Sequence, residues 1–150
     1  MQKIDRQRLA DDLAHAGILL NDRAVGQLWQ FHQILRQQNQ ELNLTRLHSY
    51  DTMVRKHYID CLLVPRLLQK HNLAIKGPVM DLGSGGGFPG IPLAIELTDI
   101  DWYLVEGRQT RTAYLQNTAE QIGLGNITAY WRKLQPTDSL PVQTVITRAV

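Results

Sequence analysis

The sequence predicts an α/β fold, an open parallel sheet covered by helices and preceded by a helical module. Three observations carry this. Apolar residues recur at three- and four-residue spacing through the first half. After Gly77-Pro78 the pattern turns into short apolar runs alternating with helical ones. The first of those runs ends on Asp81-Leu82-Gly83-Ser84-Gly85-Gly86-Gly87-Phe88-Pro89-Gly90, a glycine loop between strand and helix that opens a Rossmann-like unit. The chain therefore divides into a helical module over 1–76 and a Rossmann-like part over 77–150, expected to form one domain.

In the first part Leu9, Leu13 and Ala16 make one short helical stripe, ended by Gly17. A second runs through Val25, Leu28, Trp29, Phe31, His32 and Leu35, opened by Asn21 as N-cap. A third, from Asp51 through Val54, His57, Tyr58, Cys61 and Leu62, should end or kink near Pro65, which lacks an N–H and clashes with the preceding turn. In the second part Val79–Leu82 reads as strand one and Pro92–Leu97 as a helix with proline in its first turn. Asp101–Val105, ending at Glu106, reads as strand two, and Thr110–Ile122, closed by Gly123, as the next helix. Ile127–Trp131 and Thr144–Ile146 read as strands three and four. Trp29, Phe31, Trp102 and Trp131 fall at positions expected to face a core.

With 43% hydrophobic and 20% charged residues, the chain has ordinary soluble composition, and no apolar run approaches the roughly 18 residues needed to cross a bilayer. The first residues lack a signal peptide's apolar stretch, so a cytoplasmic protein without membrane association is expected. Cys61, the single cysteine, sits between apolar neighbours and reads as an inert core thiol rather than a nucleophile. The histidines at 15, 32, 48, 57 and 71 show no metal-ligand spacing, and no metal is predicted. Charge is uneven: residues 1–76 carry eleven Lys and Arg against seven Asp and Glu, and residues 77–150 carry five against seven. The basic first part is the better candidate for touching a polyanion.

A glycine loop at the carboxyl end of a strand lets a ligand approach backbone where side chains would collide. Glu106 lies 19 residues past Gly87, at the end of strand two, where a carboxylate can accept both hydroxyls of an adenosine ribose. Gly85, Gly87 and Gly90 also satisfy the dinucleotide fingerprint, so a nicotinamide-dependent oxidoreductase is one reading. Asp81, two residues before Gly83, favours S-adenosyl-L-methionine, because a carboxylate there meets a cationic amino-acid end but repels a pyrophosphate. Phe88-Pro89 inside the loop also suits a ligand without phosphates.

The run Met80 to Leu93, with its Pro-Gly-Ile-Pro continuation at 89–92, resembles the cofactor loop of the glucose-inhibited division protein B family, the ribosomal small-subunit methyltransferases G. Asn39 with Asn43-Leu44-Thr45, His57-Tyr58-Ile59-Asp60, and Ile146-Thr147-Arg148-Ala149 are similar to three further family motifs, in the same order. The resemblance implies methylation of guanine N7 in 16S ribosomal RNA, with naked RNA or the 30S particle as partner and a monomer at full length. It puts Gly83 and Phe88 against the cofactor, the backbone around Lys133 and Leu134 beside its adenine, and Arg148 at the mouth of the site. Arg132-Lys133-Leu134-Gln135 departs from the family's Arg and acidic pair, Thr110-Arg111 from its Lys-Arg pair, and Cys61 from its serine. The resemblance also implies three strands beyond Val150, hence a sheet truncated after strand four with Val145 and Ile146 on an open edge.

Together these readings nominate Asp81, Gly83, Gly85, Phe88, Glu106, Lys133, Leu134 and Arg148 for the cofactor, and Arg55, Lys56 and His57 for RNA. Arg148 is also the catalytic candidate, since a cation directly after a short apolar strand is poorly explained by packing. His57 and Asp60, three apart, could share a polar helical face, or His57 could be a buried histidine satisfied by a neighbouring carboxylate. Asn43 and Thr45 could equally be a helix-capping turn. A non-catalytic remnant that binds nucleotide or RNA is the third functional reading.

Overall fold

The computed structural model describes residues 3–148. Helix α1 (Arg6–His15) is capped by the Asp5 carboxylate, which accepts from the Arg8 N–H, and it stops at Gly17 with φ +79°. Asn21 caps α2 (Asp22–Leu42) as expected, accepting from the Ala24 N–H at 2.9 Å. That helix runs well past the predicted stripe and ends on Asn43 in the left-handed conformation. Next comes one continuous helical rod: α3 (Tyr50–Met53), a π-helical segment (Val54–Ile59) and α4 (Asp60–Lys70). Pro65 does not end it: α4 continues through the proline to Lys70. Burial of Cys61 and Leu62 before the proline, and the bidentate Arg66–Glu96 ion pair after it, anchor α4 to the rest of the fold and offset the lost backbone bond.

The four strands are β1 (Val79–Leu82), β2 (Trp102–Glu106), β3 (Ile127–Trp131) and β4 (Thr144–Thr147), all parallel, in the order β3-β2-β1-β4. Helices α5 (Gly90–Glu96) and α6 (Gln109–Gln121) make the crossovers between β1 and β2 and between β2 and β3. The order reverses beside β1, so the carboxyl ends of β1 and β4 flank the crevice where open α/β sheets bind ligands. One face of the sheet, through Val79, Trp102, Leu104 and Ile127, packs into a core that also holds Leu28, Phe31 and Leu35 of α2 and Leu62 of α4. The helical first part and the sheet thus share one core. Phe31 and Trp102 are buried as predicted, whereas Trp131 is 60% exposed. It ends the edge strand β3, and its indole donates to the Gly107 carbonyl.

The alternate positions Met80, Tyr103, Tyr130 and Val145 face away from that core, and Val145, on edge strand β4, is 54% exposed. An apolar edge and face of this kind favours pairing with another copy. The 150-residue chain is expected to self-associate in sedimentation velocity, and Val145→Lys to shift it toward monomer. A monomer at every concentration would contradict this description of the exposed edge.

Candidate functional site

The loop after β1 is held from both sides. Gly83 and Ser84 donate backbone N–H groups to the Val105 carbonyl of β2, at 2.8 and 3.3 Å, and the Tyr114 hydroxyl of α6 donates to the Gly86 carbonyl. Two of its glycines are needed for different reasons. At Gly90, a Cβ would lie 2.4 Å from Leu104 Cδ2 and 2.6 Å from Asp81 Oδ2, so α5 can start this close to the sheet only without a side chain. At Gly85 the nearest atom to a Cβ is 3.9 Å away, and what demands glycine is its φ of +55°. Open space lies over its Cα.

Two carboxylates organise this loop. Glu106, at the end of β2 and only 8% exposed, accepts from the Gly85 N–H through Oε2 and from the Arg108 N–H through Oε1, both at 3.0 Å. Each oxygen keeps acceptor capacity for a hydroxyl. Asp81 has no exposed surface: Oδ2 accepts from the Gly90 N–H at 2.8 Å, while Oδ1 is buried with no partner. Burial, and secondarily the charge of Glu106, push this carboxyl up to about 7. A half-satisfied buried carboxyl costs stability, and such groups cluster where a ligand completes them.

The motifs scattered along the sequence meet beside the loop. The Asn39 amide brackets Thr45, accepting from its N–H at 2.8 Å and donating to its carbonyl at 3.0 Å. The Thr45 hydroxyl pairs with His57 Nε2 at 2.8 Å, and the His57 ring stacks on Phe88 with centroids 4.1 Å apart and planes 12° apart. His57 is therefore held through Nε2 by Thr45 rather than by a carboxylate, while its buried Nδ1 has no hydrogen-bond partner. Burial, and then the nearby Arg148 charge, lower it to about 4, so the imidazole is neutral at pH 7. Arg148, following β4, donates to the Lys56 carbonyl, lies 3.7 Å from Cys61 Sγ and sits 3.7 Å from the Asp60 carboxylate. Burial pushes the Cys61 thiol up to about 12, which leaves it a core thiol.

A profile of the GidB family, described as rRNA small subunit methyltransferase G, matches residues 24–150. The chain belongs to this family. Among similar proteins, Ribosomal RNA small subunit methyltransferase G 2 of Syntrophobacter fumaroxidans is 41% identical over 138 residues, covering 92% of this chain and 27% of the relative. Ribosomal RNA small subunit methyltransferase G of Cupriavidus necator is 36% identical over 148 residues, covering 95% and 64%. The protein of the same description from Acetivibrio thermocellus is 29% identical over 122 residues, covering 81% and 49%. The GidB chain thus spans less than two thirds of the length of each of these relatives.

Against that family background, Gly83, Gly85, Asp81 and Glu106 converge at the carboxyl ends of β1 and β2. Arg148 reaches the same end from β4, one residue past the Thr147–Leu82 pairing. Lys133 and Leu134 follow β3 directly, and the Arg132 N–H before them donates to the Glu106 carbonyl at 3.0 Å, which brings their backbone alongside. Two nominated side chains point elsewhere. The Phe88 ring turns into the helical layer against His57, Phe31 and Tyr58. His57 is buried beneath it and offers no surface comparable to its exposed neighbours Arg55 and Lys56. Ala149 and Val150 lie outside the described residues. No helix among the described residues is long and apolar enough to cross a membrane, and none of their His, Cys, Asp and Glu side chains cluster as metal ligands. Sequence reading missed the Leu44 carbonyl against Gly86 and the Arg111 guanidinium on the Asn43 carbonyl, since both are contacts between distant segments.

Proposed function

We propose that this chain is the cofactor-binding part of a cytoplasmic S-adenosyl-L-methionine-dependent methyltransferase that acts on N7 of a guanine in 16S ribosomal RNA, as naked RNA or the 30S particle, and is a monomer at full length. The observation that carries the reading is Glu106 tied to the Gly85 N–H, which joins a ribose-binding carboxylate to an open glycine backbone. The residues present fit the cofactor. Glu106 would hold the ribose hydroxyls, Gly83, Gly85 and the Phe88 backbone would line the adenosyl path, and the backbone of Lys133 and Leu134 would flank the adenine. The unpartnered Asp81 Oδ1 supports a cationic amino group nearby and disfavours the pyrophosphate of a nicotinamide enzyme.

When bound, S-adenosylmethionine supplies an electrophilic sulfonium methyl. Guanine N7 presents an in-plane lone pair, so no side chain has to remove a proton, and the chain's task is alignment at about 3 Å. Arg148 is suited to it: its guanidinium donates to the Lys56 carbonyl and lies 3.7 Å from Asp60, and it would stand at the mouth of the crevice. Arg148→Ala is expected to lower turnover more than either affinity. Arg55 and Lys56, exposed on the same helical rod, would meet phosphates; their joint change to Ala should weaken RNA binding and flatten its salt dependence while cofactor affinity holds. Equal loss of both affinities would remove this division of labour.

The product would be a cationic N7-methylguanine, at which borohydride followed by aniline cleaves RNA. Methyl incorporation into small-subunit RNA by the full-length protein with no such cleavage would exclude N7. Tight cofactor and RNA binding without any incorporation would favour the non-catalytic reading.

A further inference from the structure

Resting on that reading, we propose that the polar pocket at the carboxyl end of α2, lined by Arg36, Asn39, Gln40, Asn43, Thr45 and His48, is a subsite for a second RNA nucleotide, next to the one that is methylated. The pocket has a volume of about 250 Å³ and no carboxylate in its lining, which Leu47 and Met53 complete. Its cation is fixed in place: Arg36 donates to the His48 carbonyl and lies 4.0 Å from Met53 Sδ. A guanidinium anchored through one N–H keeps others in a planar fork for a phosphate oxygen. The side chains of Gln40, Asn43 and His48 are at exposed positions around it, and amide and imidazole groups read the donor and acceptor edges of a base. The surroundings are basic as well, with exposed Arg46 in the next loop and Arg111 of α6 bound to the Asn43 carbonyl at 2.9 Å.

Position makes this a substrate site rather than a detached patch. The loop that forms its wall, Asn43 to Thr45, lies directly on the cofactor loop: a Cβ at Gly86 would stand 3.1 Å from the Leu44 carbonyl oxygen. Thr45, which lines the pocket, is also the partner of the His57 that stacks on Phe88. A nucleotide seated here lies one loop away from the crevice, as expected for a single strand whose neighbouring base is presented to the cofactor.

The test is fluorescence anisotropy of the 150-residue chain with a short fluorescein-labelled single-stranded RNA, alongside calorimetric titration with S-adenosylhomocysteine. Arg36→Gln is expected to weaken RNA binding about tenfold, the scale for losing a charged hydrogen-bond partner. Arg36→Lys should recover part of that, and Gln40→Ala with His48→Ala, at exposed positions that threaten the fold less, should cost several-fold together. Lys70→Gln, an equal loss of charge at the far end of α4, should leave affinity unchanged. Affinity in the Arg36 and Gln40/His48 variants equal to wild type, or a loss matched by Lys70→Gln, would overturn the subsite. A wild-type chain that binds S-adenosylhomocysteine but not RNA would also overturn it and leave the cofactor reading standing. RNA binding that depends on Arg36 in a chain that never binds S-adenosylhomocysteine would keep the subsite and remove the methyltransferase.

Discussion

Gly90→Ala should destabilise the protein by about 2–4 kcal/mol, the upper range for forcing an extra group into a packed interior. Its Cβ would meet Leu104 Cδ2 at 2.4 Å and Asp81 Oδ2 at 2.6 Å, and both of those residues have no exposed surface into which to retreat. Any shift of α5 that relieved the clash would stretch the 2.8 Å bond from the Gly90 N–H to Asp81, the one satisfied oxygen of a buried carboxyl. Set against the roughly 5–15 kcal/mol that holds a domain together, this is a large fraction. Gly85→Ala should cost less, about 1–2 kcal/mol, because only its positive φ opposes a side chain. Gly107→Ala, with nothing within 4 Å of the new Cβ, should be near neutral. Urea unfolding of the three variants checks the ranking; similar costs at Gly90 and Gly107 would show that α5 is not wedged against Leu104.

Asp81→Asn should change stability with a sign that depends on pH. The folded carboxyl is raised from 3.8 to about 7, so between those values the folded state holds a proton that the unfolded state has released, and stability falls as pH rises through the window. The wild-type penalty is absent below the unfolded value and complete above the folded one, on the order of 4 kcal/mol. Asparagine keeps an acceptor for the Gly90 N–H but places an NH₂ where Oδ1 has no partner, at a cost of about 1–3 kcal/mol. The variant should therefore be less stable than wild type near pH 4 and more stable, by about 1–3 kcal/mol, near pH 8. Cofactor affinity should fall near pH 8, where the wild-type carboxylate that would meet the cationic amino group is charged, and change little near pH 4, where that carboxyl is already protonated. A pH-independent difference in denaturant unfolding would show that Asp81 is ionised throughout.

Much of this site was legible because its parts are local in sequence. A strand, a glycine loop and a helix are contiguous, and Glu106 ends the next strand at a spacing set by the crossover, so Asp81, Gly83, Gly85 and Glu106 could be placed from the pattern alone. What was not legible depends on contacts between distant segments. Phe88 looks like a loop residue aimed at a ligand, yet its ring finds His57 and Phe31, thirty or more positions away. The same stacking takes His57 out of the exposed surface, and the π-helical turn that carries it has no periodicity to announce it. Pro65 reads as a stop until Arg66 and Glu96 are seen to pin the following turn, and Trp131 reads as core until β3 proves to be an edge. The Arg36 pocket closes only when the loop after Asn43 folds back under Asn39.

The central claim is that Glu106 and the loop it holds form a site for an adenosyl ligand without phosphates, and calorimetric titration tests it most directly. The wild-type chain should bind S-adenosylhomocysteine and not NADH, and Glu106→Ala should weaken that binding by roughly 2 kcal/mol, the loss of a charged hydrogen-bond partner, with the thermal transition of the fold retained. Binding of NADH in preference, or S-adenosylhomocysteine affinity unchanged by Glu106→Ala in a folded protein, would contradict the account.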